Sequence, residues 1–244
     1  MVRERERVTV DTLAEVLGTS RETIRRDLTD LAEHGRVRKI HGGATLVEPR
    51  PYEPNIEGPF QARLTENAEA KRAIARRAIQ LFEPGDTMFV DTGTTTLFFA
   101  EELSQANGLT VITNSAAIAA LAARGASNTT FLIGGEYRAA GAENLGPLAI
   151  EQIGRFHAIH AVLTVGSVET IGILDFDVKE ADVARAMIAQ ARSVTVLADT
   201  SKFGRGGLIK VAPLSAVARV ITEAEPPSEI SSALIDAGVS VIVA

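Results

Sequence analysis

The sequence predicts an α/β protein in which a small N-terminal winged helix-turn-helix precedes a larger domain built on a mostly parallel sheet. Three observations predict this fold class. Two short apolar-periodic segments meet at Gly18, prolines cluster between residues 49 and 59, and short apolar strands alternate with helices after that cluster. A chain of 244 residues is long enough for two separate cores. We therefore predict a first domain over residues 1–47, a linker over 48–59 and a second domain over 60–244.

The first helix of the small domain is predicted to begin at Asp11, because aspartate caps helix N-termini well. Gly18 is predicted to end it, since glycine readily takes the left-handed conformation of a tight turn. Ala14 is small, as a close helix crossing requires. The apolar positions of this helix are Leu13, Ala14, Val16 and Leu17.

A second helix follows almost at once. Thr19 and Glu22 have the spacing of a capping box, and Ile24, Leu28 and Leu31 recur at helical spacing as one buried stripe. The side chains on or beside the outward face are Ser20, Arg21, Thr23, Arg25 and Arg26. Arginine can pair with guanine through two hydrogen bonds, and serine or threonine can bond phosphates or bases. We therefore predict that this is the recognition helix of a DNA-binding domain.

A basic segment after the second helix predicts a small hairpin wing. Basic side chains alternate there with Val37 and Ile40, and Gly42-Gly43 allows a tight reversal. The basic residues are Arg36, Arg38, Lys39 and His41. Their natural target is the DNA phosphate backbone. The alternative is a solvated charge run beside a small helical hairpin, but the agreement of caps, turn and wing favours DNA binding.

Four prolines and a glycine within residues 49–59 prevent regular structure and predict the linker. After the linker, helices and strands alternate. Predicted strands cover residues 87–90, 110–113, 129–133, 161–165, 194–198, 219–221 and 239–243. Predicted helices cover residues 65–82, 95–104, 116–123, 148–156, 178–192 and 229–237. Short, nearly continuous apolar strands separated by helices imply a mostly parallel sheet covered on both faces.

The loop after the first strand of the second domain has the composition of an anion site. It reads Asp91-Thr-Gly-Thr-Thr-Thr96 and opens a helix. Gly93 lets the backbone approach an anion, the hydroxyls of Thr94, Thr95 and Thr96 can donate hydrogen bonds, and the helix N-terminus adds N–H groups and a positive dipole end. This pattern predicts a phosphate site without a Walker lysine. The alternative is that Asp91 and the threonines only cap the helix.

Three more loops follow strand ends, where ligands of parallel sheets bind. Asn114 and Ser115 suit sugar hydroxyls or a helix cap, and Gly134-Gly135 leaves room for a ligand or only for a turn. Lys202 can reach a phosphate or lie on the surface. Four such loops on one rim favour a polar, anionic ligand over coincidence.

Composition narrows the classes of function. The chain has no cysteine, and its four histidines are too scattered to indicate a metal site. It has no apolar run long enough for a membrane span or a signal peptide, so we expect a cytoplasmic protein without a membrane partner.

The formal net charge of −6 is unevenly distributed. Residues 1–47 hold nine Arg or Lys against eight Asp or Glu, whereas residues 48–244 hold sixteen against twenty-three. An acidic second domain repels DNA, so DNA contact is expected only at the first domain. Sequence-specific binding needs two such domains, which predicts a homo-oligomer, a dimer or a tetramer.

The segment from Thr19 to Leu28, with the motif His41-Gly-Gly-Ala44, resembles the signature of the DeoR family of bacterial transcriptional regulators. Members of that family usually have a further helix before the two described above. Residues 1–7 carry five charges and cannot supply its apolar face, so we expect this first helix to be missing here or to lie upstream.

The resemblance extends over the second domain, which is also similar to the ribose-5-phosphate isomerase group of folds. It implies a regulator of carbohydrate metabolism genes, usually a repressor, that leaves its double-stranded DNA operator when a phosphorylated sugar or related metabolite binds. It implies no cofactor. Carried over to this sequence, the effector-binding residues are Asp91, Gly93, Thr94, Thr95, Thr96, Asn114, Ser115, Gly134, Gly135 and Lys202.

Two other functions stay open. A sugar-phosphate isomerase needs a carboxylate near the ligand to move a proton between adjacent carbons, and Asp175, Asp177 and Glu180 lie near a strand end. Carboxylates are favoured at a helix N-terminus in any case, and an isomerase has no use for a helix-turn-helix. The third possibility is a sensor that only oligomerises. We predict a regulator that is not an enzyme.

Overall fold

A computed structural model of the chain describes residues 7–33, 37–40, 42–46 and 58–244. The chain divides into two compact units, residues 1–53 and 54–244. Of the predicted linker over 48–59, only Gly58 and Pro59 belong to the described residues. The boundaries of that linker therefore stay a prediction.

The first unit is a winged helix-turn-helix. Its helices are α1 (Val10–Leu17) and α2 (Arg21–Glu33), and its strands are β1 (Arg7–Thr9), β2 (Val37–Ile40) and β3 (Gly43–Leu46). The strands form one antiparallel sheet in the order β1-β3-β2, in which β2 and β3 are the predicted wing. Strand β1, which the sequence pattern did not indicate, joins the sheet beside β3. The expected lack of a first helix concerns residues 1–6, which lie outside the described residues.

The core of the first unit joins both helices to the sheet. Its buried members are Val8, Val10, Leu13, Ile24, Leu28 and Ala44, with Ala14 packed against them. Glycine is required at position 43, because a Cβ atom there would lie 2.2 Å from the carbonyl oxygen of Val8. Gly18 has a φ of 61° and ends α1 in the left-handed conformation, as predicted.

The two predicted helix caps were each misplaced. Thr9 is the N-cap of α1, and its hydroxyl accepts a hydrogen bond from the Thr12 N–H at 3.1 Å. Asp11 lies in the first turn, where its charge favours the helix dipole. The hydroxyl of Ser20 accepts from the Thr23 N–H at 3.1 Å, so α2 begins after Ser20 and the predicted Thr19 capping box is wrong.

The second unit is an α/β domain. Its helices are α3 (Phe60–Thr65), α4 (Ala68–Ile79), α5 (Thr94–Leu103), α6 (Ala116–Ala122), α7 (Pro147–Ile153), α8 (Val178–Ala189) and α9 (Ser228–Asp236). Its strands are β4 (Thr87–Val90), β5 (Thr110–Thr113), β6 (Thr129–Leu132), β7 (Glu136–Arg138), β8 (Glu143–Leu145), β9 (Ala158–Leu163), β10 (Ser167–Glu169), β11 (Gly172–Asp175), β12 (Ala191–Leu197), β13 (Ile209–Ala212), β14 (Arg219–Thr222) and β15 (Ser240–Val243).

Seven of these strands form one parallel sheet in the order β15-β14-β12-β9-β4-β5-β6. Alternate side chains of the central strands enter two different hydrophobic clusters, as Met88 and Phe89 of β4 show. Helices α4, α5 and α6 supply one cluster, and α7, α8 and α9 supply the other. The sheet is therefore covered on both faces, which explains its continuous apolar strands.

The strand order places a switch point between β4 and β9. From β4 the chain proceeds through β5 to β6 on one side, then returns to place β9 and the later strands on the other side. The loops after β4 and β9 therefore diverge and leave a crevice at the carboxyl edge of the sheet. This is the position of the loop that begins at Asp91.

Two features of the second unit differ from the sequence prediction. The helix predicted over residues 65–82 covers only Ala68–Ile79, because Glu66 is extended and Asn67 adopts a left-handed conformation with a φ of 52°, and the helix before them, α3, was not predicted. Two small antiparallel elements were also missed: the β7–β8 hairpin, and the sheet of β10, β11 and β13. Strands of three or four residues are too short to show a clear period in the sequence.

None of the helices in the described part of the chain is long and apolar enough to cross a membrane. The longest of them, α2, has 13 residues, whereas a span needs about 20 apolar residues.

Candidate functional site

Helix α2 turns the polar side chains of its first half outward. Ile24 and Leu28 are buried in the core of the first unit, and the other side chains over residues 21–29 are exposed or half-buried. The predicted DNA-binding residues on this surface are Ser20, Arg21, Thr23, Arg25 and Arg26. The spacing of the buried stripe therefore produces the outward polar surface that DNA recognition needs.

Four of these side chains make contacts inside the motif. The Arg21 Nε lies 2.7 Å from an Asp11 carboxylate oxygen, and the hydroxyls of Ser20 and Thr23 lie 2.8 Å apart. Arg25 is 3.6 Å from Glu22, a long pairing between exposed side chains. Such a pair costs little to break, so Arg25 is the stronger candidate for a base contact.

The wing is described only in part. Arg38 and Lys39 lie on β2, which pairs with β3. Arg36 and His41 lie outside the described residues. The predicted phosphate contacts of all four residues stay predictions.

A cavity lies at the carboxyl edge of the parallel sheet in the second unit, in two connected parts. The outer cavity has a volume of about 300 Å³, and the inner cleft has a volume of about 20 Å³. Five residues line both parts: Phe60, Arg63, Gly141, Asp175 and Glu180. The outer cavity has the size of a small-molecule site, whereas the inner cleft has room for about one water molecule.

The loop after β4 forms one wall of the inner cleft. Asp91, Gly93, Thr94 and Thr95 line it, and Lys202 reaches it from the loop after β12. Five of the ten predicted effector residues therefore meet at one place, at the switch point of the sheet. They are joined there by Thr164, which follows β9.

Glycine at position 93 is required by a close approach between the two switch-point loops. A Cβ atom at Gly93 would lie 2.1 Å from the hydroxyl oxygen of Thr164, which donates a hydrogen bond to the Thr92 carbonyl at 3.2 Å. Gly93 is also the N-cap of α5 and gives that helix no side-chain cap. The first turn of α5 thus directs its N–H groups and its positive dipole end toward the cleft.

A carboxylate cluster around Arg138 forms the opposite wall. Arg138 lies on β7 directly across from Glu143 on β8, and its Nε donates to Glu143 at 2.9 Å. It also donates to Asp177 at 2.8 Å and to Glu180. Asp177 is in addition the N-cap of α8, where it accepts from the Lys179 and Glu180 N–H groups. The guanidinium therefore joins the β7–β8 hairpin to the start of α8.

Burial dominates the ionisation of these groups. It raises the pKa of Asp91 well above its usual value, with a further contribution from the nearby Glu143 charge. Burial also raises the pKa of Glu143, and it outweighs the lowering effect of Arg138. Burial acts to raise the pKa of Asp177 as well, but hydrogen bonds from the Glu180 N–H and from Arg138 outweigh it and the net shift is downward. The inner cleft therefore favours a protonated Asp91, which can donate a hydrogen bond.

Five predicted effector residues do not line either part of the cavity. The Thr96 hydroxyl donates to the Gly93 carbonyl at 3.1 Å, inside the first turn of α5. Asn114 exchanges hydrogen bonds with the backbone of Asn144, and the Ser115 hydroxyl accepts from the Ile118 N–H as the N-cap of α6. The Asn114 side chain also accepts from the hydroxyl of Thr92, which lines the inner cleft, at 3.1 Å. Asn114 and Ser115 thus hold the β7–β8 hairpin, the loop after β4 and the start of α6 in place.

Gly134 and Gly135 support the same hairpin. The Gly134 N–H donates to Gln152 at 3.0 Å. Gly135 has a φ of 156°, and a Cβ atom there would lie 2.6 Å from the Leu145 carbonyl oxygen. The glycines provide the space for a close backbone approach, which was the alternative to a ligand contact.

Several cavity residues were not indicated by the sequence. Arg138 and Glu143 lie on the short hairpin that the pattern missed, and Thr164 was placed inside a predicted strand that in fact ends at Leu163. Arg63 was assigned to no site. Asp175 and Glu180, proposed only for the isomerase alternative, do line the cavity.

We expect Asp91→Asn to raise the melting temperature of the protein near neutral pH by about 3–6 °C. The pKa of Asp91 is higher in the folded state than in the unfolded state, so ionising it costs stability. This cost is absent below the unfolded pKa and grows as the pH rises toward and through the folded pKa. Melting temperatures at about pH 7.5 and about pH 4.5 should therefore show a gain at the higher pH that shrinks at the lower one.

Asp182→Asn is the matched control, because Asp182 is 43% exposed and pairs with Arg185 on the surface of α8. Asp182→Asn should leave the melting temperature within about 1 °C of wild type at both pH values. A wild-type melting temperature for Asp91→Asn near neutral pH would contradict the burial argument.

Two parts of the chain match known protein families. Residues 66–224 match the family described as DeoR C terminal sensor domain, and residues 1–50 match the DeoR-like helix-turn-helix domain. The chain belongs to the DeoR family. This confirms the predicted family and fold class, so the protein is a DNA-binding transcriptional regulator with a sensor domain for a small-molecule effector.

Three relatives resemble this DeoR-family protein over nearly its whole length. The HTH-type transcriptional repressor CsqR of Escherichia coli (strain K12) is 30% identical over 100% of this chain and 92% of its own. The glycerol-3-phosphate regulon repressor of the same organism is 31% identical over 97% of this chain and 92% of its own. The transcriptional repressor AccR of Agrobacterium fabrum is 33% identical over 91% of this chain and 86% of its own.

Solved structures of other proteins resemble parts of the chain. Ribose 5-phosphate isomerase A from Methanocaldococcus jannaschii superposes with a TM-score of 0.43 and 18% identity, over 57% of this chain and 56% of that one. The eIF2B beta structure from Chaetomium thermophilum gives a TM-score of 0.48 and 20% identity, over 72% of this chain and 56% of that one. The DeoR-family chain thus spans about half the length of each of these structures.

Proposed function

We propose that this DeoR-family protein is a repressor of carbohydrate metabolism genes that leaves its operator when a phosphorylated sugar binds in the inner cleft and outer cavity. The observation that carries the proposal is the polarity of the cavity. Helix α5 and Lys202 supply hydrogen-bond donors and positive charge on one side, and carboxylates supply acceptors on the other.

The phosphate group fits the α5 side of the cleft. The N–H groups of Thr94 and Thr95 lie in the first turn of α5, where the dipole favours an anion, and Lys202 adds a full positive charge. A protonated Asp91 can donate to a phosphate oxygen instead of repelling it. This side therefore attracts a phosphate through the α5 N–H groups, the helix dipole and the charge of Lys202.

The sugar hydroxyls fit the opposite side. Asp175 and Glu180 line both parts of the cavity, and Glu143 lines the inner cleft. Carboxylates accept hydrogen bonds from hydroxyl groups, which a phosphorylated sugar carries and inorganic phosphate lacks. The outer cavity of about 300 Å³ gives such a ligand the necessary space.

The small size of the inner cleft links effector binding to a change in the conformation of the second unit. The inner cleft has room for about one water molecule, so a phosphate group bound there favours a conformation in which the cleft is wider. A ligand that binds one conformation better than another shifts the equilibrium toward it. The wider conformation would act on the pair of DNA-binding units through the linker, so that a homo-oligomer loses its half-site geometry.

The proposal is tested by a thermal-shift screen of the purified protein against phosphorylated sugars and their unphosphorylated parents. A ligand that binds only the folded state raises the melting temperature. We expect at least one phosphorylated sugar to stabilise wild type while its parent does not. In Lys202→Ala that stabilisation should be lost, because the amino group no longer offsets the phosphate charge.

Operator binding by Lys202→Ala should stay within about twofold of wild type, since Lys202 lies in the sensor domain. Lys210→Ala is the matched control, because Lys210 is an exposed lysine that does not line either part of the cavity. No stabilisation by any phosphorylated sugar would argue against the effector class, and a normal response of Lys202→Ala would argue against the assigned site.

The isomerase alternative has one observation in its favour, since Asp175 and Glu180 lie in the cavity with Asp91. Family membership favours regulation over catalysis. Incubating the purified protein with each phosphorylated sugar that stabilises it, and assaying aldose–ketose interconversion, separates the two functions. Turnover would support the enzyme, and binding without turnover would support the repressor.

A further inference from the structure

Helix α3 is the first helix of the second unit, and it lies in the wall of the effector cavity. Phe60 and Arg63 line both parts of the cavity, and the Arg63 guanidinium lies 5.6 Å from the centroid of the Phe60 ring. This distance is within the range of a cation–π contact. One short helix thus supplies an aromatic face and a cation to the wall of the effector cavity.

Arg63 also holds the chain that leads into α3. Its Nε donates a hydrogen bond to the Gly58 carbonyl at 3.0 Å. Gly58 belongs to the predicted linker, which connects this unit covalently to the DNA-binding unit. The same guanidinium therefore faces the cavity and fixes the last residues of the linker.

The position of α3 depends on polar contacts more than on its own packing. The helix has six residues, none of them buried, and six residues are too few for a stable isolated helix. Lys71, only 3% exposed, donates to the carbonyls of Arg63 and Glu66 at 2.5 and 2.8 Å. Asn67, directly after α3, donates to Asp199 at 3.0 Å. A small number of hydrogen bonds can therefore decide where Arg63 lies.

We infer that Arg63 transmits effector binding to the linker, an inference that rests on the proposed function. Without effector, Arg63 holds Gly58 and restricts the linker to the arrangement that binds DNA. A phosphorylated sugar offers several anionic oxygens to a guanidinium, which pairs with phosphate through two hydrogen bonds. Once the guanidinium turns toward this ligand, Gly58 loses its hydrogen bond and the linker gains conformational freedom.

Arg63→Lys tests the inference in the full-length protein. Lysine keeps a positive charge at the cavity but lacks the Nε–H that donates to the Gly58 carbonyl. The probe is a DNA fragment that the wild-type protein selects from a random-sequence pool, and fluorescence anisotropy measures its affinity without any effector. We expect Arg63→Lys to bind this fragment about tenfold more weakly than wild type, the effect of one hydrogen bond from a charged group.

Arg77→Lys is the matched control, because Arg77 lies on α4 and bonds Gln80 on the protein surface. It should bind the fragment within about twofold of wild type. If Arg63→Lys lowers the melting temperature by more than about 5 °C, Arg63→Gln takes its place and the same weakening is expected. Wild-type affinity in a folded Arg63 variant would overturn the inference.

The design separates this inference from the proposed function. Lys202→Ala should lose the effect of the effector, whereas Arg63→Lys should change the affinity for DNA in the absence of any ligand. A thermal-shift screen without a stabilising phosphorylated sugar would defeat the proposed effector class. It would leave the DNA affinity of Arg63→Lys as an independent result.

Discussion

Replacing Arg25 with alanine is expected to weaken operator binding by about 10- to 100-fold, while the response of the sensor domain to its effector stays unchanged. Arg25 projects from the exposed side of α2, 65% exposed, and pairs with Glu22 only at 3.6 Å. A guanidinium in this position can turn toward a guanine edge in the major groove at little cost. The loss corresponds to about 1–3 kcal/mol for one base contact.

The measurement is an anisotropy titration against the selected DNA fragment at two salt concentrations. A base contact carries sequence information, so Arg25→Ala should lose more affinity for the selected fragment than for a scrambled one. Arg155→Ala is the control, because Arg155 pairs with Glu151 on the surface of the sensor domain. Equal losses for both fragments would make Arg25 a phosphate contact, and no loss would remove α2 as the recognition helix.

The sequence was sufficient to predict the parallel sheet because its central strands are buried on both faces. A strand such as Thr87–Val90, between two helical layers, must be apolar along its whole length, and the pattern in the sequence is correspondingly clear. Helix boundaries were less certain, since neighbouring residues can compete for one cap. Ser20 caps α2 in place of the predicted Thr19 because its hydroxyl reaches the Thr23 N–H.

Elements held together by charge were not predictable in the same way. The β7–β8 hairpin consists of three-residue strands, and what stabilises it is the cross-strand pair of Arg138 and Glu143 with help from Asp177 and Glu180 on another element. Contacts across about 40 residues leave no periodic signal in a single sequence. For this reason half of the cavity wall was missing from the prediction.

Half of the predicted effector residues line the cavity and the other half do not, because long-range contacts decide which polar groups are already bonded elsewhere in the fold. Residues directly after β4 and β12 reach the cavity because the strand register fixes where those loops begin. Asn114, Ser115 and Gly134 also follow strand ends, but their polar groups bond the hairpin, the Thr92 hydroxyl, α6 and Gln152 on α7. Position at the carboxyl edge of the sheet indicates where a site can form. It does not decide which side chains face the ligand.

The Arg138 cluster is where the proposed ligand site and the stability of the second unit depend on the same atoms. Its three carboxylates belong to a hairpin strand and to the start of α8, and the Arg138 guanidinium contacts all three and offsets their mutual repulsion. Glu143 is 2% exposed, so water cannot replace the missing cation. The acceptors that suit sugar hydroxyls are therefore kept in place by one arginine.

Arg138→Met is accordingly expected to lower the free energy of unfolding by about 3 kcal/mol near neutral pH, because it leaves Glu143 charged, buried and unpaired. The loss should shrink as the pH falls. Burial has already raised the pKa of Glu143, and removal of Arg138 raises it further, so below the unfolded pKa the protonated carboxyl needs no cation. Asp177 contributes to the same pH dependence. Because the fold lowers the pKa of Asp177, the charged carboxylate stabilises the fold at pH values above its unfolded-state pKa, and this stabilisation is lost as the pH falls.

Urea unfolding at about pH 7.5 and about pH 5 measures both effects. Arg185→Met is the control, because Arg185 pairs with Asp182 where both side chains are more than 40% exposed, and it should cost less than about 1 kcal/mol. Adding Glu143→Gln to Arg138→Met should restore part of the lost stability at the higher pH, because the buried charge is gone. If the double variant is no more stable than Arg138→Met, or if Arg138→Met costs no more than the control, the guanidinium does not compensate a buried charge and the hairpin must be held by its packing alone.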